Sequence, residues 1–126
     1  MFSHIMIGTN DLDKAKAFYD KALGALGVPE GRVDRHRVFW RTKGGVFSVS
    51  KPIDGKPATC ANGGTIGFAC ESPEQAKAFH DAAISAGGKS IEDPPGVREG
   101  AAGKVYLVYF RDPDGNKICG LHRIPA

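Results

Sequence analysis

Ala15-Lys16-Ala17-Phe18 recurs as Ala76-Lys77-Ala78-Phe79, and Asp20 recurs as Asp81, so one segment of the chain is written twice at an offset of 61 residues. The same shift lays Ser3-His4-Ile5-Met6-Ile7 on Gly64-Thr65-Ile66-Gly67-Phe68, and Leu26-Gly27 on Gly87-Gly88. Each copy reads as a short apolar strand, a polar cap, an amphipathic helix and a glycine stop, a unit that needs its twin to bury an apolar face. In the first copy Asn10 or Asp11 can accept from the free amides of the first helical turn, while Ala15, Phe18, Ala22 and Leu26 recur at helical spacing. In the second, Ser72-Pro73-Glu74-Gln75 places an N-cap serine, a proline at the first helical position and a capping-box glutamine in order. These signals predict helices over 12–26 and 73–86.

After each helix the period changes to two. Strands are predicted over 37–41 and 46–50 in the first copy, and over 105–110 and 117–122 in the second, each pair broken by a turn. Lys43-Gly44-Gly45 makes the first turn and Asp112-Pro113-Asp114-Gly115-Asn116 the second, where proline presets its own torsion and Gly or Asn accepts a positive one. Pro52 to Gly64, with Gly55, Pro57 and Gly63 between, reads as the linker. The expected fold is α+β: two tandem βαβββ modules, about 1–58 and about 62–126, forming curved mixed sheets with helices outside, in a single domain over 1–126. The concave side of those sheets is the natural place for a small ligand.

Composition narrows the function classes. With 41% hydrophobic and 25% charged residues the chain is of ordinary globular type, and no apolar run approaches the roughly 18 residues of a membrane-spanning helix. Its formal charge of +3, from 17 basic and 14 acidic residues, is spread along the chain, which argues against nucleic acid as a partner. Arg32, Arg35, Arg37 and Arg41 form a local cluster that could attract an anion, although a solvated strand face is the ordinary reading of such a run. The N-terminal residues have no secretory pattern, so the expected location is cytoplasmic. The three cysteines, Cys60, Cys70 and Cys119, are odd in number and lack C-x-x-C spacing, as expected of reduced thiols rather than a disulfide framework.

The strand-helix-three-strand order written twice, the opening strand followed by Asp-Leu-Asp-Lys-Ala-Lys-Ala-Phe-Tyr (11–19), and the closing Arg-Asp-Pro-Asp-Gly-Asn-Lys-Ile (111–118) together resemble the vicinal oxygen chelate superfamily. That superfamily includes glyoxalase I, extradiol dioxygenases, methylmalonyl-CoA epimerase, and fosfomycin and bleomycin resistance proteins. Pro94-Pro95-Gly96-Val97-Arg98 likewise resembles a loop of glyoxalase-like members. The resemblance implies a homodimer and, in the metal enzymes, ligands from the start of each module's first strand and the middle of its last. Those places fall on His4, Ser48, Thr65 and Cys119. Only His4 is the family's ordinary ligand type; Cys119 stands where glutamate is usual, and alcohols such as Ser48 and Thr65 add little to divalent-ion affinity. No cofactor is therefore expected, with a divalent metal as the minority alternative. His122 stands three residues from Cys119, on the opposite face of a strand.

The residues proposed to line the pocket are His4, Trp40, Ser48, Thr65, Arg98, Tyr106, Val108, Phe110 and Cys119. His4 is the one candidate for a catalytic role, as metal ligand or base. Pairing across the last hairpin is expected to set Tyr106, Val108 and Phe110 on the face of Cys119, and Arg98, in its Pro/Gly-rich loop, could clamp a carboxylate or phosphate. The facing of Arg37 and Trp40 depends on a turn type that the residues leave open. Cys119 reads as a buried, inert thiol. Function divides three ways: a metal-free glyoxalase-like receptor for a small organic molecule, a metal-dependent lyase or isomerase related to glyoxalase I, or a drug-sequestering dimer of bleomycin-resistance type. Bleomycin is cationic and the chain slightly basic, which ranks the last reading lowest.

Overall fold

In the computed structural model, which describes residues 1–126, the first module runs β1 (His4–Gly8), α1 (Leu12–Gly24), β2 (Arg32–Asp34), β3 (Arg37–Thr42) and β4 (Gly45–Ser50). The second runs β5 (Ile66–Ala69), α2 (Pro73–Ser85), β6 (Lys89–Ser90), β7 (Gly96–Gly100), β8 (Gly103–Arg111) and β9 (Lys117–Arg123). The caps form as the sequence predicts: the Asp11 carboxylate accepts from Lys14 N at 3.0 Å, and the Ser72 hydroxyl from Gln75 N at 3.0 Å. The Gln75 side-chain oxygen accepts in return from Glu71 N at 2.7 Å, one residue outside the cap.

Each module folds into one mixed sheet. The first has the order β1-β4-β3-β2, with β1 and β4 parallel. The second has the order β5-β9-β8-β6, with β5 and β9 parallel and β7 continuing the edge along β8. Paired residues share a face. In the first sheet Val38, Trp40, Phe47 and Val49 turn to the helices and are buried. In the second, Val108, Phe110 and Ile118 do the same, and Gly120 lies where any Cβ would stand 2.7 Å from Val108 and 3.0 Å from the Phe79 ring of α2.

The two helix-facing surfaces make a single cluster rather than two. Aromatic contacts close into a ring through both modules: Phe18 to Tyr19 (4.9 Å between centroids), Tyr19 to Phe47 (4.8 Å), Phe47 to Phe68 (5.2 Å), Phe68 to Phe79 (5.6 Å), Phe79 to Phe110 (5.1 Å), and Phe110 back to Phe18 (6.0 Å). Edge-to-face and tilted pairs of this kind add about 0.5–1.5 kcal/mol each beyond the area they bury.

The register of the last hairpin corrects one expectation. The five-residue loop 112–116 sets Arg111 opposite Lys117, so Cys119 pairs with Tyr109, while Tyr106, Val108 and Phe110 pair with His122, Gly120 and Ile118. Val108 and Phe110 are therefore buried core, and Tyr106 packs partly buried against it, on the side away from Cys119. A slip of one residue in the assumed pairing moves the whole set to the other face. Trp40 is corrected likewise: it is buried in the helix-side core, its indole N–H donating to Asp20 at 2.9 Å. Arg98 lies on β7 opposite Val105 rather than in a loop.

The closing loop also fastens the modules together. Asp112, buried, accepts from the Tyr19 hydroxyl at 2.6 Å and from Asn116, and Asp114 accepts from the Thr9 hydroxyl at 2.6 Å and Asn10 N at 2.9 Å. Burial raises the Asp112 carboxyl above its ordinary value, the Tyr19 and Asn116 hydrogen bonds opposing it without cancelling it.

Asp20 does similar work inside the first module, accepting from Trp40 Nε1, Gly31 N at 2.8 Å and Lys16 Nζ at 2.7 Å. Burial raises its carboxyl, but the bonds from Gly31, Lys16 and Trp40 outweigh that and hold it below 3.8. Asp20→Ala leaves the Trp40 and Gly31 donors without a partner and is expected to cost about 2 kcal/mol in urea unfolding at pH 7. Because the folded carboxyl is the stronger acid, its contribution is present above pH about 4 and lost as pH falls through the folded value, so the gap between wild type and variant narrows at pH 3.

Candidate functional site

Both helices pack on one side, so the opposite face of each sheet is open. On the first sheet the register puts His4, Met6 and Gly8 of β1, Ser48 and Ser50 of β4, and Arg37, Phe39 and Arg41 of β3 on that open face. On the second it puts Cys119 beside Tyr109 and Leu107 beside Leu121. Thr65 stands exposed one residue before β5. Thus His4, Ser48 and Cys119 lie on open faces, whereas Trp40, Tyr106, Val108 and Phe110 do not.

The donors at the four family places do not suit a divalent ion that must keep two positions open for substrate oxygens. Ser48 is buried and its hydroxyl donates to Ile5 O at 2.8 Å. His4 Nδ1 is 2.8 Å from the Ser3 hydroxyl. Burial pushes the Cys119 thiol up, the Tyr109 hydroxyl and Lys117 drawing it back only in part, so the sulfur stays protonated near neutrality. No three His, Cys, Asp or Glu side chains gather where they could hold a metal ion.

Arg98 is occupied locally. Its guanidinium donates to Pro94 O at 2.7 Å and Val97 O at 3.3 Å, and its Nε lies 3.8 Å from Asp93. His122 points away from Cys119, as strand alternation requires, with Nδ1 2.9 Å from Cys70 O.

Two clefts are candidates for a ligand site. The larger, about 460 Å³, lies at one end of the first sheet, where Met6, Pro52 and Ile53 supply carbon and His36, Arg37 and Lys51 supply nitrogen. The smaller, about 220 Å³, follows the seam between β1 and β5, between Ile5, Met6, Ile66 and Lys117. Sequence reasoning did not single out Met6, His36, Lys51, Ile53 or Tyr109. For Tyr109 the length of loop 112–116 was the available signal. For Ile53 there was none, because Pro52 to Gly64 read as linker, and Met6, His36 and Lys51 carry no local motif.

The chain has recognisable relatives. The family model described as Glyoxalase/Bleomycin resistance protein/Dioxygenase superfamily matches residues 1–119. Among solved structures, a glyoxalase/bleomycin resistance protein from Albidiferax ferrireducens T118 is 57% identical, with a TM-score of 0.96 over 98% of this chain and 99% of that one. Lactoylglutathione lyase from Agrobacterium tumefaciens shares the fold at 20% identity, with a TM-score of 0.67 over 97% of this chain and 92% of that one. Virulence protein STM3117 of Salmonella typhimurium is 26% identical over 118 residues, which are 91% of this chain and 78% of that protein.

The thiols give a direct test of the electrostatics. Cys60 is exposed, whereas burial pushes the Cys70 thiol up to about 11. Iodoacetamide at pH 7.5 is expected to label Cys60 first, Cys70 roughly a hundredfold more slowly because so little is thiolate, and Cys119 also later than Cys60. Mass mapping of the alkylated peptides reads the order, and early labelling of Cys119 would show it to be an available ligand.

Proposed function

The chain belongs to the glyoxalase/bleomycin resistance protein/dioxygenase superfamily, and on that premise we propose that it binds a small organic molecule on the open face of its sheets without the family's metal centre. One observation carries the reading. At the four places where the family's metal enzymes draw their ligands, this chain has a histidine, a serine bonded to its own backbone, an exposed threonine and a thiol kept protonated by burial. Such donors leave the binding energy of a ligand to the walls of the clefts and to hydrogen bonds.

The second reading is a metal-dependent lyase or isomerase with His4 as ligand or base. The exposed imidazole at the first strand favours it, as does the shared fold with a lactoylglutathione lyase, and it requires further ligands from Cys119 or a second subunit. A dimer belongs to either reading. Phe2 and Val97 are large exposed apolar side chains of the kind a second copy covers, and light scattering at micromolar concentration is expected to give twice the 13.4 kDa chain mass. A 13.4 kDa particle retires the dimer.

Elemental mass spectrometry on protein purified without chelator or affinity metal, followed by titration with Ni²⁺, Zn²⁺, Mn²⁺ and Fe²⁺, tests the metal question. The expected result is no stoichiometric binding, unchanged in His4→Ala. One equivalent of metal per chain, lost in that variant, would sink the metal-free reading in favour of the enzyme.

A further inference from the structure

Most side-chain carboxylates near a cation in this molecule are already engaged with one. Asp20 and Glu30 hold Lys16, Asp34 holds Arg35, Asp81 holds Lys77, Glu92 holds Lys117, and Asp93 lies against Arg98. The cations of the larger cleft have no carboxylate partner. Arg37 is half-buried, yet its only side-chain hydrogen bond runs from Nε to His36 Nε2 at 3.2 Å, and neither it nor Lys51 forms an ion pair. The two terminal nitrogens of the Arg37 fork are therefore unspent. Removing a guanidinium from water without a counter-charge is unfavourable, so a half-buried, unpaired fork beside a second cation is a place that favours an anion.

The surroundings point the same way. Arg32 and Arg41 share the open face with Arg37, because Arg32 pairs with Phe39 and Arg41 lies two residues further along β3. Asp34 also stands on this face, opposite Arg37, but its carboxylate is engaged by Arg35; Arg32 and Arg41 form no ion pair, so the face is net positive and draws anions toward the cleft. Arg35, in the turn from β2 to β3, is held at a φ of 57°, a left-handed conformation that costs a non-glycine residue about 1 kcal/mol. That turn sets His36 against Arg37. On the other side the cleft is carbon: the Met6 side chain, 41% exposed, and Ile53, 93% exposed, are available to cover an apolar body.

We infer that this cleft binds an organic acid, its carboxylate or phosphoryl group on the Arg37 fork and Lys51 ammonium and its hydrocarbon body on Met6 and Ile53. The inference rests on the small-molecule reading above and names the class of ligand for that face. His36 serves as a positioning residue, steadying Arg37 through the Nε contact.

The chain has two methionines, Met6 in the cleft and Met1 at the exposed terminus, so ¹³C-methyl-methionine labelling gives one reporter inside the site and one control outside. The titrants are hexanoate and hexyl phosphate, which separate the two head groups, with hexanamide and inorganic phosphate as controls. Expected is a saturable shift of the Met6 methyl with at least one of the two amphiphilic anions, no shift of Met1, and at least about tenfold weaker binding of hexanamide and of inorganic phosphate. Arg37→Gln and Lys51→Gln each weaken the preferred anion by about tenfold, while Arg41→Gln, on the same face beyond the cleft, changes it less than twofold. Urea unfolding of the variants confirms that they are folded.

Equal response to hexanamide would overturn the anion inference while leaving a small-molecule cavity in place. No movement of Met6 with any probe would overturn the inference and count against the cleft itself. Stoichiometric metal on His4 would remove only the metal-free reading, since Arg37 is not among the family's ligand places.

Discussion

The contact between Phe47 and Phe68, 5.2 Å from centroid to centroid, joins two sheets that are not joined by backbone hydrogen bonds. A four-stranded sheet with one helix across it has little apolar area of its own, and each module here covers its helix-side face partly with residues of the other. The ring that runs from Phe18 through Tyr19, Phe47, Phe68, Phe79 and Phe110 is that shared cover. Because the core lies on the helix side of both sheets, the opposite faces are left open, and the larger cleft lies at one end of the first. The position of the site thus follows from where the aromatic residues had to go.

The two halves agree in packing and diverge in chemistry. Lys16 with Asp20 and Lys77 with Asp81 are the same i, i+4 pair on the two helices. On the open faces the resemblance ends: the first sheet presents arginines around Phe39, and the second a phenol and a thiol, with the Lys117 ammonium 4.9 Å from the Tyr109 ring centroid. A residue facing the core is judged by its fit to the other module, whereas one on the open face answers only to solvent or ligand.

That distinction also sets what could be read from the residues alone. The 61-residue offset and the capping signals placed both helices to within two residues, because helix starts are written locally in Asp11 and in Ser72-Pro73-Glu74-Gln75. The central strands were legible from their alternation. The short edge strands β2, β6 and β7 were not, since Arg32-Val33-Asp34 and Lys89-Ser90 carry no apolar pattern and are exposed. Ser48 and Cys119 lie on the faces turned away from the helices, where both are buried. Trp40, Tyr106, Val108 and Phe110 were not legible as helix-side residues, because parity along a strand assigns alternation but not which set faces inward, and that is settled by the number of residues in a turn. The cleft was least legible of all, for Met6, Arg37 and Lys51 meet only through the β1–β4 and β3–β4 pairings.

Arg-Asp-Pro-Asp-Gly-Asn-Lys-Ile is the most recognisable phrase in the chain, and its two aspartates spend their oxygens on Tyr19, Asn116, Thr9 and Asn10 rather than on anything outside the protein. The words by which the molecule announces its kinship are therefore spoken by a fastening. They carry information about how two halves are held together and none about cargo. Kinship read from that phrase is a statement of shape, and two chains that share it can hold quite different molecules between their sheets.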